Sequence, residues 1–298
     1  MRVGSQIASG QSIGQRERQE DRLAAAQLRD AGNTSAFVLA DGMGGHARGD
    51  VAADLATKAF LASLKKNPFA LDEALSAANR SIRDAIASDG ALSGMGSTIV
   101  GAIVADAGLR WISVGDSPLM LVRGGRLFRL NADHSMREIL ADMVKAGRLS
   151  ADDAAHDPQR SALRSAVSGS EIELIDAPDD AVPLETGDVI LLASDGIETL
   201  TEGEIAGIAQ TARAGGARRI VADLLAEVDS RGRKHQDNTS IIAYVHGKPA
   251  RRRAGVAAAA AVVVLATVLS AALIWLSPWK VAPPQHHVTP KDNGHAHH

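Results

Sequence analysis

The sequence predicts an α+β fold, with antiparallel sheets and helices packed on their outer faces. Apolar runs of strand length come in consecutive blocks, and stretches with helical periodicity come in pairs between those blocks. A third observation is the dipeptide Gly124-Gly125 between two apolar runs, the mark of a tight antiparallel hairpin.

Strands are expected over residues 3–8, 23–28 and 36–40, the last a short apolar run that ends in Asp-Gly. Two helices follow. Residues 50–64 carry Val51, Leu55, Ala59 and Ala62 on one face, and residues 71–87 carry Leu75, Ala78, Ile82 and Ile86. The next block is all strand: 97–105, 109–114, 119–123 and 126–130. Residues 136–146 read as a helix, and Ser150 starts another as its N-cap. Strands return at 172–176 and 189–193. Helices over 201–212 and 217–229 are separated by Gly215-Gly216, and 240–246 closes the pattern as a strand.

Residues 1–246 form one globular unit. Apolar residues make up 45% of the chain, enough for a sizeable core, but aromatics are only 3%, so that core is built from Ala, Val, Leu and Ile. The net charge of -3 gives no sign of a nucleic-acid partner, which calls for a basic surface. With no cysteine, a disulfide framework, a thiolate zinc site and a cysteinyl-phosphate intermediate are all excluded.

Residues 1–14 are mixed and polar, without the apolar centre of a secretory signal. Residues 254–276 carry no charge, and a run of about 23 residues spans the hydrocarbon of a bilayer. Arg251, Arg252 and Arg253 precede it, and Trp275 and Trp279 stand at its far end, as flanking charges and aromatic belts do. A single transmembrane helix is therefore expected, after a basic joint at 247–253 and before a short His-rich polar tail at 277–298. The arginines place the preceding domain on the cytoplasmic side of the inner membrane.

Aspartates recur at the ends of apolar runs. Asp41 follows the run ending at Ala40, Asp116 follows Val114-Gly115, Asp195 follows Ala193-Ser194, and Asp237 precedes the last strand. Glu20 and Asp21 stand before a further apolar segment. Carboxylates gathered at one sheet edge repel each other and are costly to desolvate, and a hard divalent cation relieves both. Each Asp-Gly taken alone reads more readily as a turn or a helix cap. Spacing by itself goes no further than a divalent metal site.

The ordered set of motifs is more specific. Arg16-Glu-Arg-Gln-Glu-Asp21, Asp41-Gly-Met-Gly-Gly-His46, Gly96-Ser-Thr-Ile-Val, Gly115-Asp-Ser117, Asp133-His-Ser135, Ser194-Asp-Gly196 and Asp237-Asn-Thr-Ser240 together resemble the PP2C-type (PPM) metal-dependent protein phosphatases. The resemblance implies a four-layer αββα sandwich with two Mn²⁺ or Mg²⁺ ions between the sheets, and a third, weaker site. It implies that Asp41 bridges the two ions, that Asp195 and Asp237 complete one, and that the Gly42 carbonyl helps hold the other. Glu20 or Asp21 would reach the second ion directly or through water, and Asp116 would serve the third. Arg16 matches the phosphate-binding arginine, whereas Arg18 sits at the wrong offset. Residues 133–169 match the flap beside the active site. Ser97 for Thr and Gln19 for Asn are the departures, and neither removes a ligand.

The implied reaction is hydrolysis of phosphoserine and phosphothreonine on proteins by a water that two metals activate. Arg16 offers a planar fork to phosphoryl oxygens. His46, beside the metal loop, is the candidate general acid for the leaving alkoxide, and His134 at the root of the flap is assigned a structural role. Bacterial members of the family oppose Hanks-type Ser/Thr kinases, some of them in type VI secretion, so a partner kinase and its phosphorylated targets are expected. The alternative is a catalytically silent PPM-like domain that binds phosphoproteins.

Overall fold

The computed structural model describes residues 6–28, 34–44 and 48–247. The chain runs β1 (Ile7–Ser12), β2 (Arg22–Leu28), β3 (Thr34–Ala40), β4 (Gly42–Met43), α1 (Gly49–Lys66), α2 (Leu71–Ser88), β5 (Gly96–Ser97), β6 (Ile99–Ala105), β7 (Gly108–Val114), β8 (Leu119–Arg123) and β9 (Arg126–Arg129). It continues through α3 (Met136–Lys145), α4 (Ala151–His156), β10 (Val189–Ala193), α5 (Glu202–Ala212), α6 (Ala217–Ser230) and β11 (Thr239–Val245). Two antiparallel sheets result, one in the order β1-β11-β10-β8-β9 and the other β2-β3-β6-β7, with β4 and β5 as a small separate pair.

Strand alternation explains the layering. Inward residues such as Phe37, Leu39, Val100 and Trp111 of one sheet meet Leu119, Leu121, Ile190 and Ile242 of the other in a shared core. Their neighbours point the other way. Val38, Ile99, Ile103 and Ile112 pack on α1 and α2, while Met120, Val189, Leu191 and Ala243 pack on α5 and α6. Both faces of the inner strands β3, β6, β8, β10 and β11 are thus buried, which is why these strands read as continuous apolar runs. Helix, sheet, sheet and helix make the four layers. With few aromatics, close approach does the filling: a Cβ on Gly101 would lie 2.0 Å from the Phe60 ring, so the glycine makes room for that ring.

Local chemistry sets the element ends. Thr201 caps α5 in a full capping box with Glu204, and Ser150 accepts from Asp153 N at 3.0 Å at the start of α4. Gly124 and Gly125 both take positive φ, 58° and 78°, as the two-residue hairpin turn requires.

Two expectations need correction. Among the described residues the first strand is Ile7–Ser12, which runs past the expected end at residue 8 because pairing with β11 sets its register and the polar Ser9, Gln11 and Ser12 belong to it; residues 3–5 of the expected strand lie outside the described residues. Residues 172–176 form no strand. They meet β7 only at the bridge between Ser113 and Asp176, and the Asp176 carboxylate is taken up by Trp111 Nε1 and Ala132 N. Among the described residues no helix is long and apolar enough to cross a membrane, and the expected span at 254–276 lies outside them.

Candidate metal centre

Antiparallel register carries the acidic strand ends to one place. In the second sheet Ala40 pairs with Arg22, Leu39 with Val100 and Ile99 with Val114. Asp21, Asp41, Thr98 and Asp116 therefore stand at one end of it. In the first sheet Ala193 pairs with Ile241 and Ser12 with Thr239, so Ser194, Asp195 and Asp237 also share an end. The Ser194 hydroxyl donates to Asp21 Oδ2 at 2.8 Å and ties the two ends together.

Between them lies a cavity of about 570 Å³, whose walls include Arg16, Glu20, Asp41, Gly42, Asp116, Asp195 and Asp237. Ser161, Ala162 and Leu163 of the predicted flap close one side. The backbone of Asp41 is clamped. Its N–H donates to Thr98 Oγ1 at 3.0 Å, and its carbonyl accepts from Ser97 Oγ at 2.9 Å and from Thr98 N at 2.9 Å. Ser97 thus does the work expected of a threonine there. A Cβ on Gly42 would lie 2.1 Å from the Gly49 carbonyl oxygen, so only glycine lets α1 cross this turn.

The electrostatics are those of crowded acids. Burial, then Asp21 and Asp195, hold the Asp41 carboxyl well above the usual range. Burial followed by Asp116 and Asp237 pushes Asp195 up to about 7. Burial pushes Asp116 up to about 6, against the opposing pull of Arg137, whose Nη2 is 3.7 Å away. Glu20 is raised by burial, with Arg16 opposing.

These residues fit a divalent cation by the chemistry of their donors. All are hard oxygens, and the buried Oδ1 of Asp195 has no hydrogen-bond partner. Among the described residues no three acids or histidines stand in a closed ligand cluster. The carboxylates line the cavity instead, and Asp237 is turned to Arg16, which donates to its Oδ2.

Most of the expected site residues meet here, with three differences. Asp21 does not reach the cavity; it is buried behind Asp41, held by Ser194, because its strand-start position faces the intersheet core. Arg16 is engaged with Asp237. His46 lies outside the described residues. His134 is structural as expected: its buried Nδ1 accepts from Gly115 N at 3.3 Å, and burial lowers its proton affinity.

Sequence reasoning gave Asn238 no separate role. Its Oδ1 accepts from Glu20 N at 2.8 Å, and its Nδ2 donates to the Ile13 and Arg18 carbonyls at 2.9 and 3.0 Å. One amide thus holds the loop that carries Arg16 and Glu20. Arg137 was also unassigned. It stands between Asp116, Asp133 and Glu198, and no motif of its own marks it.

Comparison with known proteins agrees with this arrangement. The family described as Protein phosphatase 2C matches residues 11–236. The serine/threonine phosphatase stp of Listeria welshimeri is 30% identical over 194 residues, covering 62% of this chain and 74% of its own. The crystal structure of the Mycobacterium tuberculosis serine/threonine phosphatase PstP/Ppp has a TM-score of 0.65 at 30% identity, over 81% of this chain and 98% of that one. A PstP catalytic domain in complex with two manganese ions has a TM-score of 0.62 at 29% identity, over 80% and 97%. PppA of Pseudomonas aeruginosa, described as a key regulatory component of type VI secretion, has a TM-score of 0.60 at 28% identity, over 82% and 100%.

Proposed function

Because the chain belongs to the protein phosphatase 2C family, we propose that it removes phosphate from phosphoserine and phosphothreonine in proteins, using two manganese or magnesium ions. One observation carries the reading: a single cavity gathers carboxylates from both sheets whose proton affinities are raised by burial and by each other. Such a set is stable at neutral pH when divalent cations share its charge.

Asp41 lies at the junction of the two sheets and would help hold both ions. Asp195 and Asp237 would hold one ion, and the Gly42 carbonyl and Glu20 would hold the other. Asp21 supports Asp41 from behind. Asp116 would serve a third, weaker site. When bound, the pair of ions neutralises phosphoryl oxygens and makes a water nucleophilic at neutral pH. Arg16 is the phosphate clamp. Its side chain is 57% exposed, so its fork is free to turn from Asp237 to an incoming phosphoryl group. The flap residues 161–163 narrow the cavity mouth. His46 is the general acid, and His46→Gln should lower kcat for peptide substrates far more than for aryl phosphates, whose leaving group needs no proton.

The decisive experiment assays the full-length chain on a phosphothreonine peptide with Mn²⁺, with EDTA and as Asp41→Asn. Turnover that requires Mn²⁺ and disappears in the variant upholds the reading. No turnover by folded, metal-loaded protein leaves the phosphoprotein-binding alternative. Two further elements belong to the same proposal. The uncharged segment 254–276, with arginines before it and tryptophans after it, anchors the enzyme by one pass, with residues 1–246 in the cytoplasm; membrane fractionation and protease access test this. A Hanks-type kinase supplies the phosphorylated substrate, and the likeness to PppA makes a type VI secretion regulator the first to try.

A further inference from the structure

Asp195 and Asp237 form a wall with a cavity on each side. One is the candidate metal centre. The other, of about 220 Å³, is bounded by Arg160 from the flap and by Arg233 and His235 from the α6–β11 loop. Guanidinium groups beside metal-ligating acids could serve to pair with them, but among the described residues neither arginine forms an ion pair with Asp195, Glu198 or Asp237. Asp237 is taken by Arg16, and Glu198, on the same wall, is taken by Arg137 at 3.0 Å. Among the described residues neither Arg160 nor Arg233 has an ion-pair partner. Arg233 makes one hydrogen bond, from Nη2 to the Thr199 carbonyl at 3.2 Å, which aims the side chain and leaves its charge unspent.

The surroundings are fixed. Gln236 is buried and donates to the Gly196 carbonyl at 3.1 Å, while its Oε1 accepts from Thr199 Oγ1 at 2.7 Å. This pins the α6–β11 loop to the turn that carries Asp195. On the flap side, Asp157 accepts from Gln159 N at 2.7 Å and from Arg160 N at 3.0 Å, and Met136 N donates to the Ala162 carbonyl at 3.0 Å. Two unpaired arginines therefore converge from separately braced elements, next door to where the phosphoryl group is expected.

We propose that this second cavity binds an anionic side chain of the substrate close in sequence to the scissile phosphoresidue, so that the enzyme selects acidic or multiply phosphorylated sites. The proposal rests on the phosphatase reading of the neighbouring cavity. Guanidinium forks suit carboxylate and phosphate alike. The cavity is open to solvent, so each contact is of modest strength and sensitive to salt.

The test uses full-length protein and phosphothreonine peptides with alanine flanks. Single aspartates, or a second phosphoserine, are placed in turn at each position around the phosphothreonine. One acidic substitution should raise kcat/KM by about three- to tenfold, mainly through KM. The second phosphate should exceed the carboxylate if charge dominates. The ratio of acidic to neutral kcat/KM should fall to near one in Arg160→Ala/Arg233→Ala and be largely restored in Arg160→Lys/Arg233→Lys. A ratio near one in the unaltered protein, or one unchanged by the double alanine variant, overturns the proposal. Hydrolysis of a small aryl phosphate separates the two readings. If it occurs without acidic preference, only this inference fails. If there is no turnover at all, the phosphatase reading fails, and the same ratios taken from equilibrium peptide binding still decide the role of the cavity.

Discussion

Replacing Asn238 with alanine removes the amide that holds the Arg16–Glu20 loop against the start of β11. The side chain is buried and makes three hydrogen bonds, to Glu20 N, Ile13 O and Arg18 O. At about 1 kcal/mol for each bond, the loss of stability is on the order of 3 kcal/mol. For a domain of this size that lowers Tm by roughly 6–12 °C. Function should suffer as well, because the freed loop carries Arg16. KM for a phosphopeptide should rise more than kcat falls. Asn238→Asp should be no milder: it keeps the acceptor for Glu20 N but turns a charge onto two carbonyl oxygens. Urea denaturation and steady-state kinetics of Mn²⁺-loaded protein measure both effects. A loss below about 1 kcal/mol together with an unchanged KM would refute the bracing role.

Without metal, burial chiefly pushes the Asp195 carboxyl up to about 7 and that of Asp116 up to about 6. The unfolded carboxyls titrate near about 3.9, so between these values the folded state holds protons that the unfolded state has lost. The stability from these groups is full below the unfolded pKa and is lost as pH rises through the folded ones. Denaturation midpoints in EDTA should therefore fall from pH 5 to pH 7.5, and Mn²⁺ should remove most of that slope; an EDTA slope no steeper than the Mn²⁺ slope counts against the crowded-acid account. Arg137→Met leaves Asp116, Asp133 and Glu198 facing each other without their shared cation, and should cost about 3 kcal/mol at pH 7.5 and less at pH 5, by urea denaturation. Gly101→Ala forces a methyl group against the Phe60 ring and should cost about 1–3 kcal/mol, with Phe60→Leu partly rescuing it.

Much of this protein is determined locally, and that part was open to reading from residues alone. Apolar runs bounded by Gly, Asp and Ser gave most of the strands, because strands buried on both faces admit little else. The Thr201 and Ser150 caps and the Gly124-Gly125 turn act within a few residues of themselves. Asp41, Asp195 and Asp237 drew attention because carboxylates recur at the ends of buried strands, although each one alone reads as a turn; that they line one cavity depends on the register of both sheets. Tertiary structure decided what depends on residues far apart in the chain. Whether Glu20 or Asp21 faces the cavity turns on which way β2 enters its sheet, and adjacent residues point to opposite faces. The register of β1 is set by a strand more than two hundred residues later. Asn238 and Gln236 look like ordinary loop amides until the backbone groups they satisfy are in place. The same holds for Arg160 and Arg233: which cations are spent on neighbouring acids, and which remain free for a ligand, is a property of side-chain geometry that pairwise spacing along the chain does not contain.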